Sequence, residues 1–237
     1  MYKFFSRLVF SLIIVVSLTY SSQSQTVGAW ENIETTDTAI VEHMLLLGDN
    51  YFTIATYKVM NGQFISTQGG SWKKNSQNLT ITYEFNSAHP SLVGTTVDWP
   101  IAASGEKFQI NGKLWSKVVP VQKAQLSGVF QMGGRKQSGE IVMRNTNQPR
   151  KTMKFVLDNR FQWIAFNTET KEFFGTGGGT YTAKDGVYTE QIEFFSRNID
   201  RVGASLSFGY DMKNDGWHHS GKSSEGEDMY EIWVVRK

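Results

Sequence analysis

The chain has 237 residues, no cysteine, and 24 basic against 22 acidic residues. The lack of cysteine excludes disulfide staples, thiolate metal sites, a cysteine nucleophile and a lipid-modified N-terminal cysteine. Aromatic residues at 14% with only four prolines fit ordered strands rather than a disordered tail.

Residues 1–24 read as an export signal. Lys3 and Arg7 make a short basic start, residues 8–20 are mostly apolar, and Ser21-Ser22-Gln23-Ser24-Gln25 offers small residues before a cut near Ser24. The apolar run falls short of the roughly 20 residues of a spanning helix, so cleavage is expected, with no membrane span in the mature form. Lys3 and Arg7 leave with the signal, which balances the remaining charges. A neutral chain without a Lys/Arg run carries no electrostatic footprint for nucleic acid. The expected location is secreted or periplasmic.

The rest of the chain is a duplication, a feature to be sought before any motif. At a constant offset of 109, Asp49-Asn50-Tyr51-Phe52 falls on Asp158-Asn159-Arg160-Phe161, and Thr67, Gly69 and Gly70 fall on Thr176, Gly178 and Gly179. Glu84-Phe85 falls on Glu193-Phe194, and Gly112-Lys113 on Gly221-Lys222. The first copy spans residues 25–119 and the second 125–237, with a proline-bearing linker at 120–124. The second copy is longer near its start, and the glycine- and lysine-rich stretch at 133–139 is the expected insertion.

Within each copy the period is two. Leu79, Ile81, Tyr83 and Phe85 alternate with Thr80, Thr82 and Glu84, a strand with one dry and one wet face. Asn61-Gly62 and Asp185-Gly186 mark hairpins. About eight short strands fit in one copy, enough to close a small barrel. The fold class is therefore all-β: two tandem small antiparallel up-and-down barrels behind a cleaved signal, each expected to fold alone. Glu84 and Glu193 give the strands a wet outer side, which favours soluble barrels over outer-membrane ones.

Gly28-Ala29-Trp30 resembles the G-x-W that opens the first strand of lipocalins and related calycin barrels, and Gly128-Val129-Phe130 is its counterpart in the second copy. With Gly177-Gly178-Gly179-Thr180-Tyr181, Tyr188-Thr189-Glu190 and Glu231-Ile232-Trp233 before Arg236, the chain resembles a small lipocalin-like domain of exported bacterial proteins, present twice. The resemblance implies that Trp30 with Lys117, and Phe130 with Arg236, plug the barrel ends by cation–π contact, with Trp233 in the closing strand. It also implies a small hydrophobic ligand.

Glu190 falls in the dry row, at the position of Ile81, and is read as the one carboxylate facing a barrel interior. An unpaired carboxylate there would neutralise itself, so a guanidinium partner is expected from Arg160, Arg144 or Arg236. Glu190, Arg160, Tyr188, Ile192 and Trp163 form the candidate ligand site. His218 and His219 are adjacent on a strand, point to opposite faces, and are read as partly exposed. The glycines at 175–179 read as a bulge or bend, because a strand rather than a helix follows them. The sequence carries no catalytic motif and implies no enzyme, no metal and no cofactor. It leaves open a carrier with a ligand in one or both barrels, or an interaction module filled by its own side chains, its protein partner unknown.

Overall fold

The structure is a computed structural model that describes residues 26–104, 107–122, 125–222 and 226–236. The signal sequence at 1–24 lies outside these residues, as do positions 123 and 124 of the linker. Consecutive strands β1 (Gly28–Thr35), β2 (Ile40–Leu47), β3 (Tyr51–Lys58), β4 (Phe64–Lys74), β5 (Asn78–Asn86), β6 (Thr96–Ser104), β7 (Lys107–Ile110) and β8 (Lys113–Lys117) pair in order. Antiparallel pairing of Trp30 with Lys117 and of Glu31 with Ser116 closes them into a barrel. The second copy supplies β9 (Gly128–Gln137), β10 (Glu140–Met143), β11 (Arg150–Leu157), β12 (Arg160–Asn167), β13 (Phe173–Lys184), β14 (Val187–Phe195), β15 (Ser205–Lys213), β16 (Gly216–Lys222) and β17 (Asp228–Val235). Here β9 closes on β17, and eight strands again complete an antiparallel up-and-down barrel.

The extra residues of the second copy form a hairpin. β9 runs past the barrel wall, turns at Ser138-Gly139 and returns as β10, which pairs with β9 from Gly134 to Gln137. Both copies break their ladders at matching places, between Gly69 and Gly70 and between Gly178 and Gly179. A methyl group on Gly178 would lie 2.6 Å from the Phe161 carbonyl oxygen and 2.6 Å from the Phe194 ring, so only glycine lets the strands approach this closely. The bulge passes over Glu193, and an extra residue shifts the alternation beyond it. Phe85 and Phe194 thereby leave the interior rows and turn outward.

They turn into a third core. Each barrel has its own packed interior, but Met44, Leu46, Ala55, Tyr57 and Phe85 of the first also pack with Met153, Phe155, Ile164, Phe166 and Phe194 of the second in one buried cluster. Tyr57 stacks on Phe194 with ring centroids 4.6 Å apart, and Phe85 meets Phe166 at 4.7 Å. The offset of 109 turns each pair into the other. Phe64 stacks on its own counterpart Phe173 at 5.9 Å, and Thr53 donates to its counterpart Gln162 at 2.9 Å. Contacts that exchange under the repeat, with self-pairs between them, define a pseudo-twofold axis, the geometry of an isologous dimer joined into one chain.

Polar groups in this seam are matched. Gln162 is fully buried, accepts from Thr53 and donates 2.9 Å bonds to the hydroxyls of Thr67 and Thr176. Glu193 and Glu84 do not face solvent as the alternation suggested. Glu193 pairs with Arg160, which also holds Glu42 at 2.9 Å, and Glu84 takes a two-pronged contact from Arg236 at 2.7 and 2.8 Å. The barrels close separately, and the buried cluster between them predicts that their stabilities are coupled. Phe166→Ala should cost about 3–5 kcal/mol and lower a single cooperative denaturation transition followed both by circular dichroism and by tryptophan fluorescence. Two separated transitions, with only the second barrel weakened, would show that the seam does not couple the halves.

Candidate functional site

The interiors of the two barrels differ at a few positions. Leu45, Ile81 and Ile110 of the first are buried and apolar, and the strand registers put Lys154, Glu190 and His219 in their places. Lys154 donates to Glu190 at 2.8 Å, both side chains being under 8% exposed. The ammonium also sits 5.2 to 5.3 Å from the ring centres of Tyr188, Trp217 and Trp233. An ion removed from water needs such compensation: an opposite charge at contact distance and the negative faces of aromatic rings.

The partner of Glu190 is thus Lys154 and none of the three expected arginines. Arg160 and Arg236 lie on the outer faces in the seam, and Arg144 is exposed beyond β10. Lys154 escaped the sequence reading although the same offset, carried four residues before Asp49, would have laid it on Leu45. Glu190 is not the only inward carboxylate. Glu231 of β17 sits beside His219 across the ladder and accepts a 3.0 Å bond from the Trp233 indole. Burial raises its pKa, and the Lys154 charge partly opposes that.

His218 and His219 do point to opposite faces, but both are buried, at 9% and 1% exposure, rather than partly exposed. His218 bridges Asp215 and the Tyr230 hydroxyl on the outer side. His219 lies inside, its ring 4.4 Å from Phe208 and 5.0 Å from Trp217. Burial, with Lys154 adding to it, holds its pKa well below the ordinary value, so the imidazole is neutral. Its Nδ1 and the Trp217 Nε1 are buried without a hydrogen-bond partner.

These groups floor a cavity of about 270 Å³ toward the end of the barrel away from Gly128. Lys154, His219 and Glu231 supply polarity, and Trp163, Phe195, Phe208 and Trp233 supply walls. Of the expected ligand site, Trp163 lines this cavity, Glu190 and Tyr188 stand behind Lys154, Ile192 belongs to the packed core, and Arg160 is outside the barrel. Among the expected plugs, Lys117 lies 4.8 Å from the Trp30 ring and pairs at 3.1 Å with Asp158 of the other barrel. Phe130 is not capped by Arg236. Its closing-strand neighbour is Val235, its ring meets Trp217 at 5.4 Å, and Arg236 covers Tyr51 at 4.0 Å instead.

Comparison with protein-family models, with curated proteins and with solved structures gives no match. Among the described residues no group of three or more histidine, aspartate or glutamate side chains could hold a metal ion, and no helix is long and apolar enough to cross a membrane.

Removing either member of the buried pair alone, as Lys154→Leu or Glu190→Ile, should destabilise the protein by about 3–5 kcal/mol, because the survivor is left uncompensated. The double change gives the second barrel the residues of the first and should restore most of that stability in urea denaturation; additive losses would show that the two do not act as a pair. His219 gives a pH dependence. Unfolded, it takes up a proton as the pH falls through about 6.5, while the folded imidazole does not. Unfolding then binds an extra proton, so stability drops on acidification below about pH 6.5 by up to ~1.4 kcal/mol per pH unit. His219→Ile should remove that slope, and a stability difference between the two proteins that is constant from about pH 7 to 5 would mean that the folded ring takes up its proton over the same range as the unfolded one.

Proposed function

We propose that this is an exported, non-enzymatic, lipocalin-like protein whose second barrel holds a small molecule with an apolar body and one polar group. The observation that carries the reading is the floor of the second cavity: a neutral buried imidazole with an unpartnered nitrogen under walls of tryptophan and phenylalanine. Ligand pockets combine such walls with a few convergent polar groups, and a buried polar atom left unmatched is destabilising until something meets it. The G-x-W at Gly28-Ala29-Trp30, its counterpart at Gly128-Val129-Phe130 and the consecutive strand order support the lipocalin-like character. The N-terminal sequence supports passage to the periplasm or the exterior.

In the first barrel most of the interior below the open end is packed by its own side chains. Leu45, Phe52, Trp72, Leu79, Ile81, Trp99 and Ile110 fill its interior, and the outer face built on β2 and β3 buttresses its partner. It acts as the scaffold that completes the second barrel's outer face.

Titration of the whole protein with the neutral fluorophore N-phenyl-1-naphthylamine should give saturable enhancement at one site. Trp163→Ala and Phe208→Ala should each weaken it by about tenfold, a loss of ~1.4 kcal/mol, and native mass spectrometry of protein purified from its source should show a co-purifying small molecule. Enhancement that ignores both substitutions, together with a bare mass, would leave the side-chain-filled interaction module as the function.

A further inference from the structure

The first barrel has a cavity at the same place as the second. It measures about 260 Å³, and His43, Ile54, Asn86, Lys113 and Trp115 line it where Thr152, Trp163, Phe195, Glu231 and Trp233 line the other. One charge is reversed. Among the described residues no acidic side chain lines the first cavity, Glu34 meeting both Lys113 and His43 from its rim, and Lys113 occupies the register position of Glu231, opposite Ile110 as Glu231 is opposite His219. In the second barrel the Trp233 indole N–H donates to the Glu231 carboxylate. The equivalent Trp115 is 3% exposed, and its indole N–H has no acceptor.

We propose that this cavity binds a small oxyanion, a carboxylate or phosphate group, between the Trp115 indole N–H and the Lys113 ammonium. The second barrel shows the arrangement completed by the protein's own carboxylate. In the first barrel a cation has replaced that carboxylate on the strand, so the protein's own carboxylate no longer meets the indole, and the proposed oxyanion takes its place. Charge-assisted hydrogen bonds to an ionised oxygen are the stronger kind, and the pocket adds the His43 ring, which is held against the Thr56 hydroxyl at 2.9 Å and lies 3.3 Å from Lys113. Glu34, which is 48% exposed, pairs with Lys113 at the rim and competes with the ligand for it. A cavity of this size, where about 150 Å³ already holds a benzene ring, admits a small organic anion as well as a free phosphate. The site is independent of the apolar pocket in the second barrel, so either assignment can fail without the other.

The test is a titration of the whole protein, separately with inorganic phosphate and with acetate, following the indole N–H resonance of Trp115 in nitrogen-15 spectra, with Trp115→Phe identifying that signal. One of the two probes should move it saturably, and which one does distinguishes a phosphate ligand from a carboxylate ligand. Lys113 is 44% exposed at its side chain, so Lys113→Gln should leave the fold intact and weaken binding by about tenfold or more. Glu34→Gln should tighten it by a few fold, because the competing carboxylate is gone. No saturable shift with either probe up to ~10 mM, a limit corresponding to affinities weaker than about 3 kcal/mol, overturns the proposal. So does Lys113→Gln binding as tightly as the parent.

Discussion

Leu45 and Leu46 point to opposite faces of β2, and both are buried. The same holds for Val156 and Phe155 in β11 and for Phe161 and Ile164 in β12. A closed barrel in water needs one dry face only, so strands dry on both sides demand a second layer. That demand governs the architecture. It forces the outer faces of β2, β3, β11 and β12 together, and it places Phe64 against Phe173 and Thr53 against Gln162 on one axis. In a chain without cysteine, the doubled core supplies stability that disulfide-bonded proteins draw from covalent cross-links.

A seam fixed in this way frees the interiors to diverge. Outward residues match in kind because the pairs they form exchange across the axis: Tyr57 and Phe166 are both aromatic, as are Phe85 and Phe194, and Tyr57 stacks on Phe194 as Phe166 meets Phe85. Inward residues meet only their own barrel. Leucine and isoleucine in the first became lysine and glutamate in the second without any change in strand order or bulge position. The divergence continues at the cavity, where Lys113 and Glu231 hold one position with opposite charge.

The duplication, the strand count and the hairpin at Asn61-Gly62 were legible because they rest on local signals: a constant offset, a period of two, and turn residues. Lys154 was not. β11 is apolar on both faces, so alternation gives no hint which of Met153, Lys154 and Phe155 faces inward. Arg236 was misplaced for a different reason. The connection from β16 to β17 is longer than the Asn111-Gly112 turn between β7 and β8, which raises the true offset of the closing strand from 109 to 118, as the pairs Phe108–Trp115 and Trp217–Trp233 show. The match of Gly112-Lys113 with Gly221-Lys222 is therefore accidental, since Lys113 opens β8 while Lys222 ends β16. It hid the correspondence of Lys113 with Glu231. Glu193 misled because a bulge reverses alternation, and the sequence marks its place only by glycines.

The Lys154–Glu190 pair is the residue choice that stability explains least. A buried ion pair roughly breaks even against apolar residues of similar size, and often does worse. Here the comparison lies within one chain, because Leu45 and Ile81 pack on a strand framework of the same registers. The fold therefore does not require the charges. Their surroundings are specific nonetheless: three aromatic rings surround the ammonium, and Lys154 lines one cavity together with Trp233, a neutral histidine and a second carboxylate. Groups that are unfavourable to bury and unnecessary to the framework are held in place by the seam beneath them, where Met153 and Phe155 anchor β11 on either side of Lys154. The shared core thus does for the second barrel what a rigid support does for any preorganised site: it keeps polar groups in a geometry that the barrel alone would not favour.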